Sequence, residues 1–134
     1  MSLRVLLDTN IVSRLMRDGQ GKLWHKAMAF GHQHIGVSIV TACELRFGAA
    51  YRQSERLSRE VDEFLNGIAV VPMEHPVDVA YADIRAHLTR SGRPIGPNDI
   101  LIAAHALALD LTIVTDNIRE FSRVPNLRVE NWLD

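Results

Sequence analysis

The sequence predicts an α/β fold, with a central, mainly parallel sheet of four or five strands and helices on both faces of the sheet. Short apolar runs of the kind that parallel sheets bury alternate along the chain with segments of helical periodicity. Such alternation is typical of βαβ units. Acidic residues directly follow two of the runs, at the strand ends where functional groups gather in these folds. The 134 residues have the length of a single domain, 1–134.

Five apolar runs are predicted strands. They span residues 5–7, 35–38, 68–71, 111–115 and, as a short fifth, 127–129. Two amphipathic helices follow from apolar side chains at helical spacing. The first contains Leu57, Val61, Phe64 and Leu65, and the second contains Val77, Tyr81, Ile84 and Leu88 and ends at Ser91-Gly92. Gly96-Pro97 opens a third helix over 100–109, whose few polar side chains predict burial on most sides.

The composition is that of a folded protein, and we expect it in the cytoplasm. Hydrophobic residues make up 47% and charged residues 23% of the chain, which excludes a disordered protein. The net charge of −1 argues against a strongly basic nucleic-acid module. The single cysteine, Cys43, predicts a reducing compartment and is expected to be a small buried residue. The most apolar stretch, 100–111, is too short to span a membrane.

Four acidic residues are predicted to meet at one end of the sheet. Asp8 follows the first strand, and Asp116 follows the fourth. Glu44 and Asp99 are expected in the first turns of two helices that begin at the same end. Carboxylates this close repel one another and raise each other's pKa unless a cation lies among them. Oxygen ligands alone favour a hard divalent ion, Mg²⁺ or Mn²⁺.

Taken one at a time, three of these acids also have a purely structural interpretation. Asp99 near a helix N-terminus stabilises the helix dipole. Residues 41–44 match a capping box, in which Glu44 reaches back to a backbone N–H. Asp116 could cap a helix that begins near Asn117. Asp8 is harder to explain in this way, because the polar residues 8–10 directly follow a buried strand.

Four motifs, in this order, resemble those of PIN-domain ribonucleases. They read LLDTN at 6–10, SIVTACEL at 38–45, PIGPNDILIAA at 94–104 and TDNIREF at 115–121, and they contain the four acids. The match extends over essentially the whole chain. The order and spacing are similar to those of the VapC group, the toxin half of bacterial and archaeal toxin–antitoxin pairs.

The resemblance implies a three-layer α/β/α PIN-domain sandwich and a metal-dependent endoribonuclease. It assigns the acidic residues to a cluster that is catalytic and binds Mg²⁺ or Mn²⁺; these are Asp8, Glu44, Asp99 and Asp116. It also implies supporting polar residues. Asn10 would fix the loop that holds Asp8. Thr115 and Asn117 would support the metal site, and Glu120 is a weaker candidate for a second ion.

The same resemblance implies the partners. The expected substrate is a structured RNA such as tRNA, and the small number of aromatic residues argues against a broad base-stacking platform. Attack by water would leave a 5′-phosphate and a 3′-hydroxyl. A homodimer and a cognate antitoxin whose C-terminal segment covers the acidic pocket are expected, with no membrane partner and no direct reading of DNA. Candidate apolar residues for the dimer face are Val40, Phe47, Tyr51, Leu57 and Phe64.

Other functions remain open at this point. Receiver domains and haloacid-dehalogenase-type phosphatases also place an Asp after the first strand, so Asp8 could instead accept a phosphoryl group. Against this, Asn10 stands where the phosphatase signature needs a second Asp, and both lysines precede residue 27, far from a late strand. A PIN-fold binding protein without activity and a flap-type DNA nuclease are the further alternatives. The six histidines form no catalytic set and are expected at the surface or partly buried.

Overall fold

The structure, a computed structural model, describes residues 2–133 and builds from them a five-stranded, all-parallel sheet. Its strands, in the spatial order β3-β2-β1-β4-β5, place the first strand at the centre. They are β1 (Val5–Leu7), β2 (Ile35–Ser38), β3 (Ala69–Val71), β4 (Thr112–Val114) and β5 (Val129–Glu130). The chain proceeds outward from β1 in one direction and from β4 in the other. The boundary between β1 and β4 is therefore the point where the strand order reverses, which is the usual binding position in open parallel sheets.

Seven α-helices and one 3-10 turn connect and cover the strands of this region. They are α1 (Thr9–Asp18), α2 (Lys22–Phe30), α3 (Ile39–Tyr51), α4 (Glu55–Asn66), α5 (Val77–Arg90), α6 (Pro97–Ala108) and α7 (Ile118–Phe121), with the 3-10 turn at His32–His34. The predicted three-layer arrangement, with helices on both faces of a parallel sheet, is confirmed.

Two apolar cores lie on the two faces of the sheet, because successive strand residues point to opposite sides. Val5 and Leu7 of β1 pack against apolar side chains of α1 to α4. Leu6, between them, packs against side chains of α5, α6 and α7. The helix that opens at Gly96-Pro97 is the most apolar of these, and its residues from Ile102 to Ala106 are fully buried, as the sequence predicts.

Side-chain caps fix where several helices begin. Asp8, Ser38 and Ser54 each accept a hydrogen bond from a backbone N–H in the first turn of α1, α3 and α4, respectively. At the other end of a helix, α5 stops at Arg90, and Gly92 adopts a left-handed conformation with φ of +68°. The helix end predicted at Ser91-Gly92 is therefore confirmed.

Three expectations about single residues are wrong. Ser38 is the N-cap of α3, so residues 41–44 are not a capping box, and Glu44 lies in the second turn of α3 and not in its first. Cys43 is exposed on α3, because it lies on the side of the helix that faces away from both cores. His105 is completely buried, because it stands in the middle of the apolar helix α6.

Membrane-spanning helices are not found in the described part of the chain; its longest helix, α5, has 14 residues.

Candidate functional site

The candidate site begins where β1 and β4 end side by side. Asp8 directly follows β1, and its backbone N–H donates to the carbonyl oxygen of Val114, the last residue of β4, over 2.9 Å. Thr115 directly follows β4 and is fully buried, and Asp8 is only 3% exposed. The parallel register of the two strands thus brings Asp8 and Thr115 together, although 107 positions separate them in the sequence.

The carboxylate of Asp8 is held at both of its oxygens. Oδ1 accepts a hydrogen bond from the backbone N–H of Ile11 over 2.9 Å, which caps α1. Oδ2 accepts from the hydroxyl of Thr115 over 2.5 Å. The same hydroxyl oxygen accepts from the backbone N–H of Asn117 over 2.9 Å, so the residues after β4 are tied to Asp8 through Thr115. One lone pair on each Asp8 oxygen remains for a ligand.

Glu44 reaches the site from α3 and is bound by side chains of two other helices. Its Oε1 accepts from the hydroxyl of Thr9, in the first turn of α1, over 2.5 Å. Its Oε2 accepts from Nδ2 of Asn98, in the first turn of α6, over 3.2 Å. Glu44 therefore joins three helices at the carboxyl end of the sheet.

Asp99 lies in the first turn of α6, as predicted, and is partly buried beside the other acids. Burial raises its pKa to about 6, and the negative charges of Asp8, Glu120 and Glu44 add to this effect. Burial also raises the pKa of Asp8, with contributions from the charges of Asp116 and Glu44. The hydrogen bonds from Thr115 and Ile11 oppose that rise, because they stabilise the charged carboxylate.

The remaining predicted residues lie around this centre. Asp116 is exposed, and its charge acts on Asp8. Glu120, on α7, accepts a hydrogen bond from Nδ2 of Asn117 over 2.6 Å. Asn10 is exposed in the first turn of α1, and the hydrogen bonds that hold the Asp8 carboxylate come from Ile11 and Thr115.

The donor chemistry of this cluster fits a hard divalent cation. Every ionisable side chain in it is a carboxylate, and no histidine or cysteine thiol takes part in these contacts. As they stand, side chains within residues 2–133 do not converge into a set of three acidic, histidine or cysteine ligands. The charges nevertheless act on one another, and a cation among them would offset both the burial and the mutual repulsion that raise the pKa of Asp8 and Asp99.

A groove runs from this cluster between α1, α3 and α4. It has a volume of about 280 Å³, and Thr9 and Glu44 lie at its end nearest the acids. Its floor is apolar, and charged side chains stand at its rim. The lining includes Met16, Leu45, Leu57 and Val61, with Arg17, Arg52 and Glu60. Gly48 of α3 also lines the groove, where an added Cβ would meet no atom within 4 Å.

Comparison with known proteins decides the family. The family model described as PIN domain matches residues 5–127. The chain belongs to the PIN domain family. Among curated relatives, Ribonuclease VapC2 of Rickettsia felis is 33% identical over 129 residues, which is 95% of this chain and 96% of that protein. A protein of Shigella flexneri named tRNA(fMet)-specific endonuclease VapC is 37% identical over 131 residues, covering 97% and 98% of the two chains.

Solved structures of PIN-domain proteins superpose on the whole fold. VapBC2 from Rickettsia felis, bound to a DNA fragment from its promoter, matches with a TM-score of 0.91 and 31% identity, and covers 97% of this chain and 99% of that chain. DNA-bound VapBC from Salmonella typhimurium matches with a TM-score of 0.87 and 32% identity, covering 97% and 98%. The resemblance to PIN-domain ribonucleases of the VapC group, first seen in four short motifs, is confirmed over nearly the full chain.

Two polar residues of this PIN domain, Thr9 and Asn98, make contacts in the site that the sequence patterns do not indicate. Thr9 donates to Glu44 and lies 3.4 Å from the hydroxyl of Thr41. Asn98, which immediately precedes Asp99, donates to Glu44 from the opposite side. The available signal was their position: both occupy the first turn of a helix and directly adjoin an acid of a motif.

Proposed function

We propose that this PIN-domain chain, 1–134 as one domain, is a metal-dependent endoribonuclease and the toxin component of a cytoplasmic toxin–antitoxin module. The proposal is supported mainly by the acidic cluster at the boundary between β1 and β4, where the strand order reverses. The cluster offers only oxygen ligands, and burial and mutual repulsion raise the pKa of Asp8 and Asp99. The names of the full-length relatives, which are ribonucleases and an endonuclease of the VapC group, support the reaction class.

The residues that would hold Mg²⁺ or Mn²⁺ are the four acids of the motifs. Asp8 and Glu44 are each held by hydrogen bonds at both carboxylate oxygens, and Asp99 and Asp116 complete the set. A divalent ion bound there supplies a water of lowered pKa and relieves negative charge on a phosphodiester. Glu120 is positioned by Asn117 and is the candidate for holding a second ion.

This chain's own contribution to the mechanism is the fixed geometry of the carboxylates. Thr115 keeps one oxygen of Asp8 in place, and the N-terminal turn of α1 keeps the other. Thr9 and Asn98 hold Glu44 from two sides, so its carboxylate cannot rotate freely. At neutral pH, a carboxyl with a pKa of about 6 is mostly ionised, so Asp99 is available as a ligand without prior loss of a proton. We expect in-line attack by water, with a 5′-phosphate and a 3′-hydroxyl as the products.

The proposed substrate is a structured RNA, with tRNA as the leading class. One relative, at 37% identity over 97% of this chain, is named a tRNA(fMet)-specific endonuclease. The chain has only eight aromatic residues of the Phe, Tyr and Trp types, and four motif acids occupy the centre of the site. Recognition is therefore expected to depend on the shape and backbone of a folded RNA more than on stacking of unpaired bases.

The proposed protein partner is an antitoxin whose C-terminal segment lies in the groove between α1, α3 and α4. The matched structures from Rickettsia felis and Salmonella typhimurium are VapBC complexes on DNA. The groove offers an apolar floor to such a segment and ends at Glu44. An arginine side chain arriving there would be bound by carboxylates and would displace a cation.

We also propose that the chain forms a homodimer through an exposed apolar stripe on α3. Its four residues repeat at intervals of four and therefore share one face of the helix: Ile39, Cys43, Phe47 and Tyr51. Phe47 is 67% exposed and Tyr51 is 78% exposed, and their rings stack with centroids 5.7 Å apart. The other residues suggested for a dimer face are partly buried and pack against the cores: Val40, Leu57 and Phe64.

Incubation of the purified protein with total bacterial tRNA in Mn²⁺ or Mg²⁺ tests the proposed function. Discrete cuts are expected, ending in 5′-phosphate and 3′-hydroxyl groups, and they should disappear in EDTA and in the Asp8→Asn variant. The variant Asp83→Asn, in which an exposed acid of α5 carries the same change, should cut like the wild type. Cutting that survives EDTA or the loss of the Asp8 charge would contradict the proposal.

A further inference from the structure

His105 is a buried, polar side chain that the proposed reaction does not use. It lies in α6, is 0% exposed, and has a hydrogen-bonding partner at each ring nitrogen. Nδ1 lies 2.8 Å from Oγ of Ser38, the last residue of β2 and the N-cap of α3. Nε2 lies 3.2 Å from the carbonyl oxygen of Pro72, directly after β3. The ring therefore connects α6 to the carboxyl ends of two neighbouring strands.

The partners determine which nitrogen carries the proton. The Pro72 carbonyl can only accept, so Nε2 of His105 must donate to it. Oγ of Ser38 already accepts from the backbone N–H of Val40 over 3.1 Å, which leaves its hydroxyl hydrogen free to point at Nδ1. Burial lowers the pKa of His105, in agreement with a neutral ring. The side chain is thus a neutral imidazole that accepts at Nδ1 and donates at Nε2.

This bridge connects the two helices that carry half of the acidic cluster. Asp99 and Asn98 lie in the first turn of α6, and His105 lies further along the same helix. Glu44 lies on α3, whose first residue follows the Ser38 cap. The helices are therefore joined at two levels, by Asn98 to Glu44 near the site and by His105 to Ser38 deeper in the protein. A shift of α6 along α3 would break both links.

We propose that His105 is a positioning residue, which holds α6 and the start of α3 in the register that brings Asp99 and Glu44 to one cation site. It touches neither RNA nor the acids, and it acts through the Ser38 cap. The inference rests on the proposed function in so far as the two acids bind a divalent ion. The bridge itself stands on the two hydrogen bonds of the ring and can be measured without any ion.

The first test is to determine which ring nitrogen of His105 carries the proton. The ¹⁵N chemical shifts of the His105 ring in the metal-free protein at pH 7.5 should show a protonated Nε2 and an unprotonated, hydrogen-bonded Nδ1. The Ser38→Ala variant should shift the Nδ1 resonance toward that of a nitrogen without a donor. A ring protonated at Nδ1, or one whose Nδ1 does not respond to Ser38→Ala, would overturn the proposal.

Two substitutions then separate positioning from general core packing. In His105→Asn the amide oxygen takes the place of Nδ1 and can still accept from Ser38, whereas in His105→Gln the amide nitrogen takes the place of Nε2 and keeps only the bond to Pro72. Both variants lose packing in α6. The variant Ile102→Val is the control, because it destabilises the same helix and leaves the bridge intact.

Mn²⁺ affinity by calorimetry and the amide chemical shifts of Glu44 and Asp99 are the readouts. We expect affinity within about threefold of the wild type in His105→Asn and Ile102→Val, and a loss of about tenfold or more in His105→Gln, since small displacements of ligands are costly. Equal losses in all three variants, in proportion to their stability, would show a merely structural histidine.

If the wild type binds no Mn²⁺, the proposed function fails, and the amide shifts alone decide the role of His105. Glu44 and Asp99 shifts that move in His105→Gln and not in His105→Asn would support positioning. Shifts that stay unchanged in His105→Gln would overturn it.

Discussion

At the scale of single residues, Asp8 has a structural role and a proposed chemical role at once. One of its oxygens caps α1, the other accepts from Thr115, and burial still raises its pKa. A carboxylate that only capped a helix would need neither the second hydrogen bond nor acidic neighbours. The combination explains why a charged group is kept with 3% exposure at the end of a strand.

Replacing Thr115 by Val tests the support that it gives to Asp8. The change removes the donor to Oδ2 of Asp8 and the acceptor for the backbone N–H of Asn117. We expect a higher pKa for Asp8, a free energy of unfolding lower by about 1–3 kcal/mol, and Mn²⁺ binding weakened at least about fivefold. Thr115→Ser keeps the hydroxyl and is the matched control. Mn²⁺ binding by the Val variant at wild-type strength would count against the supporting role.

Removing the charge of Asp99 is expected to raise the free energy of unfolding of the metal-free protein. Its folded pKa of about 6 exceeds the ordinary value of 3.8, so the folded state binds more protons between these pH values. The contribution of Asp99 to the free energy of unfolding of the metal-free protein therefore falls as the pH rises from about 4 to about 6, and stays lower above pH 6.

In EDTA at pH 8, Asp99→Asn should raise the stability by about 1 kcal/mol, a figure discounted for the partial exposure of the group, or the Tm by about 3 °C. Thermal unfolding measured by circular dichroism checks this, with Asp83→Asn as the exposed control. A variant less stable than the wild type in EDTA would show that the charge of Asp99 does not destabilise the metal-free fold.

The clustering of the four motif acids at one end of the sheet could be predicted from the sequence, whereas their hydrogen-bonding partners could not. Asp8 directly follows β1 and Asp116 lies two residues after β4, and the carboxyl ends of parallel strands lie at the same edge of the sheet whatever the details of packing. Thr9 and Glu44 are 35 positions apart, and Asn98 and Glu44 are 54 apart. Such contacts depend on how helices pack across the sheet, which no local pattern encodes.

At the scale of elements, the sequence does not indicate where α3 begins. The polar residues near its start offer two starting points, and Ser38 caps the helix where a capping box at 41–44 was expected. The earlier start places Glu44 in the second turn of α3. Cys43 is exposed and lies in line with Phe47 and Tyr51 on the outer face of the helix. Which face of α3 is buried depends on its packing against the cores, which the local sequence pattern does not show.

Gly48 of α3 leaves open space in the groove between α1, α3 and α4, where the antitoxin is proposed to bind. A larger side chain has room there, so Gly48→Leu should fold and should occupy the groove. We expect inhibition of tRNA cleavage by the cognate antitoxin to weaken at least about tenfold, with cleavage itself retained. Gly48→Ala is the control, and its stability should rise by about 0.5–1 kcal/mol, since glycine weakens helix interiors. Unchanged inhibition of the Leu variant would place the antitoxin elsewhere.

A charge placed on the exposed face of α3 is expected to weaken the proposed homodimer. Phe47→Glu puts a carboxylate on the apolar stripe, and at a two-fold interface both copies carry it. Sedimentation velocity should show the dissociation constant of the dimer rising at least about tenfold, while the fold is retained because Phe47 is 67% exposed. Leu109→Glu, a similar change at another exposed position, should leave the dimer intact. A Phe47→Glu variant that stays dimeric would exclude this face.

At the scale of the whole molecule, the order of the strands explains why the site lies where it does. β1 is central, and β2 and β4 flank it, so the segments that follow β1, β2 and β4 converge at one edge. The parallel sheet and its two covered faces could be predicted, because alternation of apolar strands and amphipathic helices dictates both. The groove between α1, α3 and α4 could not, since it arises from spacing between helices.

If these acids form one site for a divalent cation, calorimetric titration of Mn²⁺ into the metal-free protein at pH 7.5 will show it. Saturable binding is predicted for the wild type and for Asp83→Asn, with a loss of affinity of about tenfold or more in Asp8→Asn, because one ligand and its charge are removed. If Asp8→Asn bound Mn²⁺ as tightly as the wild type, or if the wild type showed no saturable binding, the acids at the end of the sheet would not be a cation site.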